Sequence, residues 1–284
     1  MTVSDGSTAR IGPTAHYTAY VWSRLRLPYA SYLATPTGAA LYWGFFALGE
    51  WTTRVLPGVP TMREFLAYRH LLIDALVEDL APDRLVELGA GLTPRTVEWA
   101  LDRGIATVDI DLPAMIEVKR RAIGRLPAAT QARLAARHRL LGLDVLDPQF
   151  SAQLADALAG AQRPVIIAEG LVSYFDPAAR ALLFAAVARA LEGRPRAAFI
   201  VDLHTAVAQN QVGPATKVLR SAIRVLTRRR HALGPFADAA AYERALLDAG
   251  FSGCRTLDPA DWVHARPGLA GLHSPAQVVH AWVK

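Results

Sequence analysis

The segment Leu85-Val86-Glu87-Leu88-Gly89-Ala90-Gly91 restricts what this chain can fold into more than any other. A short apolar run breaks into a Gly-Ala-Gly turn, and helical spacing resumes from Pro94 to Asp102. Glycines let a ligand approach the main chain closely, and the free N–H groups opening the next helix favour an anion. The pattern then repeats. Strands are predicted at Arg84–Leu88, Thr107–Ile110, Arg139–Leu143, Val165–Ala168 and Ala197–Val201, with helices at Pro94–Asp102, Pro113–Gly124, Gln149–Leu158 and Pro177–Leu191. This alternation implies a parallel sheet with right-handed crossovers, which binds ligands beyond the carboxyl ends of its strands.

Acidic residues stand at three of those ends. Asp111 closes Val108-Asp109-Ile110-Asp111, 22 residues after Gly89, near the spacing of about 20 at which a carboxylate meets ribose hydroxyls. Its other reading is a helix cap before Pro113. Asp144 follows the third strand, where it suits an adenine amine or serves the turn leading to Asp147-Pro148. Glu169 follows the fourth strand, either at the mouth of the cleft facing an ammonium or as a solvated strand end. The anion on the glycine turn is a pyrophosphate in a dinucleotide enzyme and a methionine carboxylate in a methyltransferase.

Residues 14–80 read as helical and aromatic, from Tyr17 to Trp51. Thr61 and Glu64 have capping-box spacing before a helix bearing Phe65, Leu66, Leu72, Ile73 and Leu76. The aromatic zone is either a lid over an apolar substrate or a helical layer on the sheet. A helical insertion over about 204–232 carries Lys217, Arg220, Arg224 and Arg228 on one stripe. That stripe is a solvated face, an entrance for anionic substrates or a carrier-protein surface. A helix over Ala239–Ala249 ends at Gly250, and strand-like Cys254–Leu257 and Val278–Val283 form a closing hairpin, common in methyltransferases and rare in dehydrogenases. The expected division is a helical, aromatic N-terminal cap over 1–80 and an α/β core over 81–284, with its insertion at about 204–235.

Composition excludes several classes. With 52% hydrophobic and 20% charged residues, the chain is not a disordered one. The net charge of +6 comes without a nucleic-acid motif, so no nucleic-acid partner is expected. Cys254 is the lone cysteine and Met1–Pro13 has no leader character, which together predict a reducing, cytoplasmic setting. The longest apolar run, Ala39–Gly49, is far short of the roughly 18–20 residues that span a bilayer. No His/Cys spacing predicts a metal.

Four motifs resemble the leucine carboxyl methyltransferase family, which includes bacterial O-methyltransferases of polyketide biosynthesis. They are Tyr68-Arg69-His70-Leu71-Leu72-Ile73-Asp74; Glu87-Leu88-Gly89-Ala90-Gly91-Leu92-Thr93-Pro94-Arg95, with Thr93-Pro94 in place of the family's frequent Asp-Thr; Val108-Asp109-Ile110-Asp111-Leu112-Pro113; and Ala168-Glu169-Gly170-Leu171-Val172-Ser173-Tyr174-Phe175. The resemblance covers roughly residues 60–205. It implies a Rossmann-like class I methyltransferase sheet and S-adenosyl-L-methionine as cofactor. It further implies that Arg69 reaches the cofactor carboxylate, that Gly89, Ala90, Gly91, Asp111, Asp144 and Glu169 line the site, and that Val145 contributes backbone.

The acceptor implied is a carboxyl or hydroxyl group of a hydrophobic small molecule, in natural-product biosynthesis. A carrier protein or a second copy of the chain is a further partner. C-methylation, cyclisation and protein-carboxyl methylation are the alternatives. A carboxylate acceptor needs no base, whereas a hydroxyl does. The candidates beside the reacting atoms are His204, after the fifth strand, and Tyr174, after the fourth. Their other readings are a capping or solvent-facing histidine and a tyrosine that packs the cofactor. His16 and His70 are further candidates.

Overall fold

A computed structural model describes residues 8–47, 61–194, 196–205, 236–264, 267–270 and 276–284. The N-terminal helices are α1 (Thr8–Arg24), α2 (Ala30–Leu33), α3 (Pro36–Phe45) and α4 (Met62–Leu80). Thr61 starts α4 through the expected capping box: its hydroxyl accepts from Glu64 N at 3.1 Å, and Glu64 Oε2 accepts from Thr61 N at 2.7 Å. Strand and helix then alternate: β1 (Arg84–Leu88), α5 (Arg95–Asp102), β2 (Ala106–Asp111), α6 (Pro113–Ile123), α7 (Ala128–Ala135), β3 (His138–Gly142), α8 (Phe150–Ala157), β4 (Pro164–Ala168), α9 (Pro177–Leu191) and β5 (Ala198–His204). After α10 (Ala239–Asp248) come β6 (Gly253–Thr256) and β7 (Ala276–Trp282).

The seven strands lie in the order β3-β2-β1-β4-β5-β7-β6. β1 to β5 are parallel, while β7 runs antiparallel to both β5 and β6. Strand order reverses between β1 and β4, the switch point at which open α/β sheets hold ligands. β5 runs three residues beyond the predicted Val201, because β7 pairs with it in unbroken register from Ala198↔Trp282 to His204↔Ala276. Asp202 and His204 are therefore strand residues. The short helix α7, not anticipated from the pattern, links α6 to β3. The predicted basic stripe, Lys217 to Arg228, lies outside the described residues.

Period-two alternation sorts the sheet into two faces. Val86, Leu88, Val108, Ile110, Ile166, Phe199 and Val201 pack against α8, α9 and α10 through Phe150, Leu154, Leu183, Phe184 and Leu246. Leu85, Val165, Ile167, Ala198 and Ile200 pack instead against Leu72, Ile73, Leu76 and Val77 of α4. Each such buried aliphatic side chain stabilises the fold by about 1.5–3 kcal/mol. The parity of this second face continues past the apolar stretches. Glu87, Asp109, Asp111, Glu169, Asp202 and His204 all share it; Arg69 of α4 meets Glu169 and Asp202, while Thr96 of α5 and Lys119 of α6 meet Asp109.

Candidate active site

The glycine turn adopts a backbone that other residues resist. Gly89 and Gly91 have φ of +62° and +47°. A Cβ on Gly89 would stand 2.8 Å from Leu171 Cδ1, and one on Gly91 would stand 3.1 Å from Ala15 Cβ of α1. The turn is thus covered by the segment after β4 and by the first helix. Ala90, fully buried, donates its N–H to Ile110 O.

Asp111 ends β2 beside this turn. Its carboxylate accepts from Gly91 N and Leu112 N, both at 2.7 Å. The residue at the cap position of α6 is Leu112, so Asp111 joins two strand ends instead of capping the helix as a side chain. Burial pushes its pKa up, and the Gly91 and Leu112 N–H groups oppose that rise. Asp144 forms a local turn, its Oδ1 accepting from Leu146 N at 3.0 Å. Val145 is buried in the core on the α8 side.

At the switch point α4 meets β4 and β5. Arg69 is buried, and its guanidinium donates Nε to Glu169 at 2.8 Å and NH1 to Asp202 at 3.1 Å. The resemblance sets Arg69 against a cofactor carboxylate; in the structure its guanidinium is already met by two carboxylates of the protein itself. Desolvation works against the Arg69 charge, and Asp202 and Glu169 outweigh it to raise the pKa. Glu169 also receives Arg95 NH2 at 2.7 Å and faces His70 Nδ1 at 3.2 Å. Desolvation opposes its ionisation, yet Arg95 and Arg69 hold its carboxyl well below the usual range.

Arg95, wholly buried on α5, also reaches Glu87 at 2.6 Å and Asp74. Its NH2 lies 2.8 Å from His70 Nδ1. A guanidinium only donates, so Nδ1 accepts and the ring proton belongs on Nε2, which faces Asp74 at 3.5 Å. His70 is thereby occupied in the network, with the Trp22 ring 4.4 Å away. His16 bonds Thr35 Oγ1 at 2.9 Å, and burial lowers its pKa. Gly170 turns at φ +70°, and a Cβ there would meet Arg69 NH2 at 3.1 Å. Its N–H is held by Asp202 Oδ1.

His204 ends β5 with 19% of its side chain exposed, 3.8 Å from Asp202 Oδ2. Its ring stacks on Phe65 with centroids 6.0 Å apart, and Arg69 Cζ lies 5.5 Å from the same Phe65 ring. Tyr174 lies in a 3-10 turn over Val172–Tyr174, half-buried. The structure therefore gathers Arg69, Glu169 and His204 around Asp202, and Gly91 with Asp111. Asp144 stands in its own turn. Sequence reasoning passed over Asp74, Glu87, Arg95 and Asp202. The signal that could have found the two buried strand acids is parity: each falls on the α4 face of an otherwise apolar strand.

These residues fit an S-adenosyl nucleoside by charge. The switch-point cluster sets two guanidiniums against four carboxylates, Asp74, Glu87, Glu169 and Asp202. Burial raises the Glu87 carboxyl while Arg95 and Lys119 oppose the rise, and even a protonated Glu87 leaves an excess of acid. Ammonium and sulfonium charges against one carboxylate match that excess. A half-buried Asp111 at the second strand end offers lone pairs to a diol.

Known proteins agree with this frame. A profile of the family described as leucine carboxyl methyltransferase matches residues 25–188, more than half of the chain. A protein of Mycobacterium avium is 29% identical over 194 residues, covering 65% of this chain and 60% of its own length. One of Mycolicibacterium paratuberculosis is 30% identical over the same shares. Both are provisionally named S-adenosyl-L-methionine-dependent methyltransferases. The chain thus spans about 60% of the length of these relatives. Among solved structures, an O-methyltransferase family protein from Burkholderia thailandensis superposes with a TM-score of 0.52 at 14% identity, over 96% of this chain and 72% of that one. The methyltransferase SibL does so at 0.50 and 20% identity, over 82% and 61%. These two likenesses concern the fold, an open α/β sheet of the methyltransferase kind. The matched span carries the arginine helix, the glycine turn and the acidic ends of β2 and β4, and on that ground the chain belongs to the leucine carboxyl methyltransferase family.

Proposed function

We propose that this protein is an S-adenosyl-L-methionine-dependent O-methyltransferase acting on a carboxyl or hydroxyl group of a hydrophobic small molecule in natural-product biosynthesis. The observation that carries the reading is the pairing of Asp111 with the Gly89–Gly91 turn beside an acid-rich switch point. Bound, the cofactor supplies a methyl group already activated on a sulfonium. Asp111 holds the ribose, Arg69 meets the carboxylate end, and Glu169 with Asp202 balances the ammonium. Asp144 and Val145 line the adenine end. The buried walls exclude water and align the nucleophile, which is the main task left to a protein in such a transfer.

His204 decides what the acceptor needs. Asp202, close to its ring, stabilises an imidazolium, so the pair suits the removal of a proton from a hydroxyl. This favours a hydroxyl acceptor, with Tyr174 beside it at the mouth. A carboxylate acceptor would leave His204 idle. Titration calorimetry with S-adenosylhomocysteine tests the cofactor reading. The native protein is expected to bind it and to ignore NAD. Asp111→Ala is expected to lose at least about tenfold in affinity, the scale of one charge-assisted hydrogen bond, while its melting curve still shows a folded protein. Equal affinity in the two proteins overturns the ribose role.

A further inference from the structure

A cleft of about 650 Å³ opens between the end of α1 and the start of α4, lined by Tyr20, Ser23, Arg24, Leu25, Arg26 and Arg63. Three arginines line it, and none forms an ion pair among the described residues. The nearest acid in sequence, Glu64, has its carboxylate turned back onto the Thr61 N–H.

The ordinary explanation for such arginines is the helix dipole, because cations are favoured near a helix carboxyl end. That covers Arg24, in the last turn of α1. It does not cover Arg63, in the first turn of α4, where the exposed N–H groups already carry positive charge. It does cover Arg26, just beyond the carboxyl end of α1. That residue sits at φ +58° in the left-handed turn that ends α1, a place usually taken by glycine. The Arg24 guanidinium also lies 6.0 Å from the centroid of the half-exposed Trp43 ring, which gives the cleft an aromatic rim.

The cleft adjoins the site described above. Arg63 lies six residues before Arg69 on one helix, about 9 Å along its axis. Between them Phe65 stacks on His204 and packs with Tyr20 and Leu25 in one apolar cluster.

We propose that this cleft binds the anionic end of the methyl acceptor, a carboxylate or phosphate held by Arg24, Arg26 and Arg63. The acceptor's apolar body then crosses Phe65 and its reacting group stands at His204. The anion site stands on the cleft alone; its assignment to the acceptor rests on the methyltransferase reading.

The test uses calorimetry at low salt, about 50 mM, where charge contacts are least screened. Inorganic phosphate and 1-naphthoate are titrated into the native protein and into Arg24→Gln/Arg63→Gln, with S-adenosylhomocysteine titrated into both. Native protein is expected to bind at least one acid. The double variant is expected to bind it at least about tenfold more weakly, the loss of a charge-assisted contact, with S-adenosylhomocysteine affinity unchanged. Binding of phosphate alone identifies a phosphate ester as ligand, and binding of naphthoate alone a carboxylic acid. Equal acid binding by the two proteins overturns the site, as does no acid binding by the native one. If the acid binds and S-adenosylhomocysteine does not, the cofactor reading fails and the cleft stands.

Discussion

Lys119→Met isolates one buried charge. Asp109, on the α4 face of β2, is fully enclosed. Its Oδ2 lies 2.7 Å from Lys119 Nζ and 2.8 Å from His138 Nε2, and its Oδ1 accepts from Thr96 at 2.8 Å. Desolvation alone would raise the carboxyl; Lys119 first, then His138, hold it down at about 2 against an ordinary 3.8. A pKa held down stabilises the fold above the ordinary value, and that contribution is lost as pH falls through about 2. The displacement corresponds to about 2–3 kcal/mol at neutral pH. Methionine keeps the apolar stem of Lys119 and removes the charge, leaving Asp109 with His138 and Thr96. Breaking a buried pair in this way costs about 3–5 kcal/mol. With two partners retained, we expect about 3 kcal/mol, or roughly 6–12 °C in melting temperature for a domain of this size. The assay is thermal and urea denaturation at pH 7.5, followed by circular dichroism. Adding Asp109→Asn to Lys119→Met removes the orphaned charge and is expected to recover at least about half of the loss. A single variant within about 1 kcal/mol of native, or a double variant no better than the single one, refutes the reasoning.

Burial and the neighbouring Asp74 push the Glu98 carboxyl up to about 7. A raised acid contributes stability below its ordinary pKa and loses it as pH rises through 7. Glu98→Gln should therefore melt higher than native at pH 8.5, by about 1 kcal/mol after allowance for solvent screening, and equally at pH 4; a constant difference across pH counts against this. Gly89→Ala places a Cβ against Leu171 on a left-handed backbone. It should destabilise by about 1–2 kcal/mol or more and weaken S-adenosylhomocysteine binding, and an unchanged melting curve with unchanged binding would remove both arguments. With a hydroxyl acceptor, the rate should rise between roughly pH 6 and 7.5 and His204→Ala should lose about 100-fold. A flat profile and a near-normal variant would leave His204 a structural residue.

What could be read in advance was local chemistry. Thr61 and Glu64 announce the start of α4 because a capping box is complete within four residues. Gly89 and Gly91 announce a turn because few other residues tolerate that backbone. Asp111 could be placed by its distance from the turn, although its link to Gly91 N lay beyond a cap-or-ribose choice. The charge network was opaque because its partners are remote: Arg69 meets Asp202 across 133 residues and Glu169 across 100. The resemblance therefore assigned Arg69 to the cofactor carboxylate, and nothing local pointed to its two partners within the protein. Asp202 and His204 looked like residues beyond a strand because β5 owes its last turns of pairing to β7. Arg95 stood among helix formers with nothing local to mark it as the hub joining Glu87, Asp74 and Glu169.

The place of β7 between β5 and β6 also sets an order of events during synthesis. His204 pairs with Ala276, 72 residues later in the chain. β2 and β3 each pair with a strand already made, 22 and 31 residues earlier, whereas β1 waits 80 residues for β4, as β5 waits for β7. The pairing edge of β5 stays open until 276–282 emerge, and with it the strand end that carries Asp202 and His204. Such late, long-range closure is slow, and an open apolar strand edge is the surface on which partly made chains associate. The interval between translating β5 and translating β7 is therefore one of exposure to misassembly, in which a nascent-chain chaperone would have an open strand edge to shield.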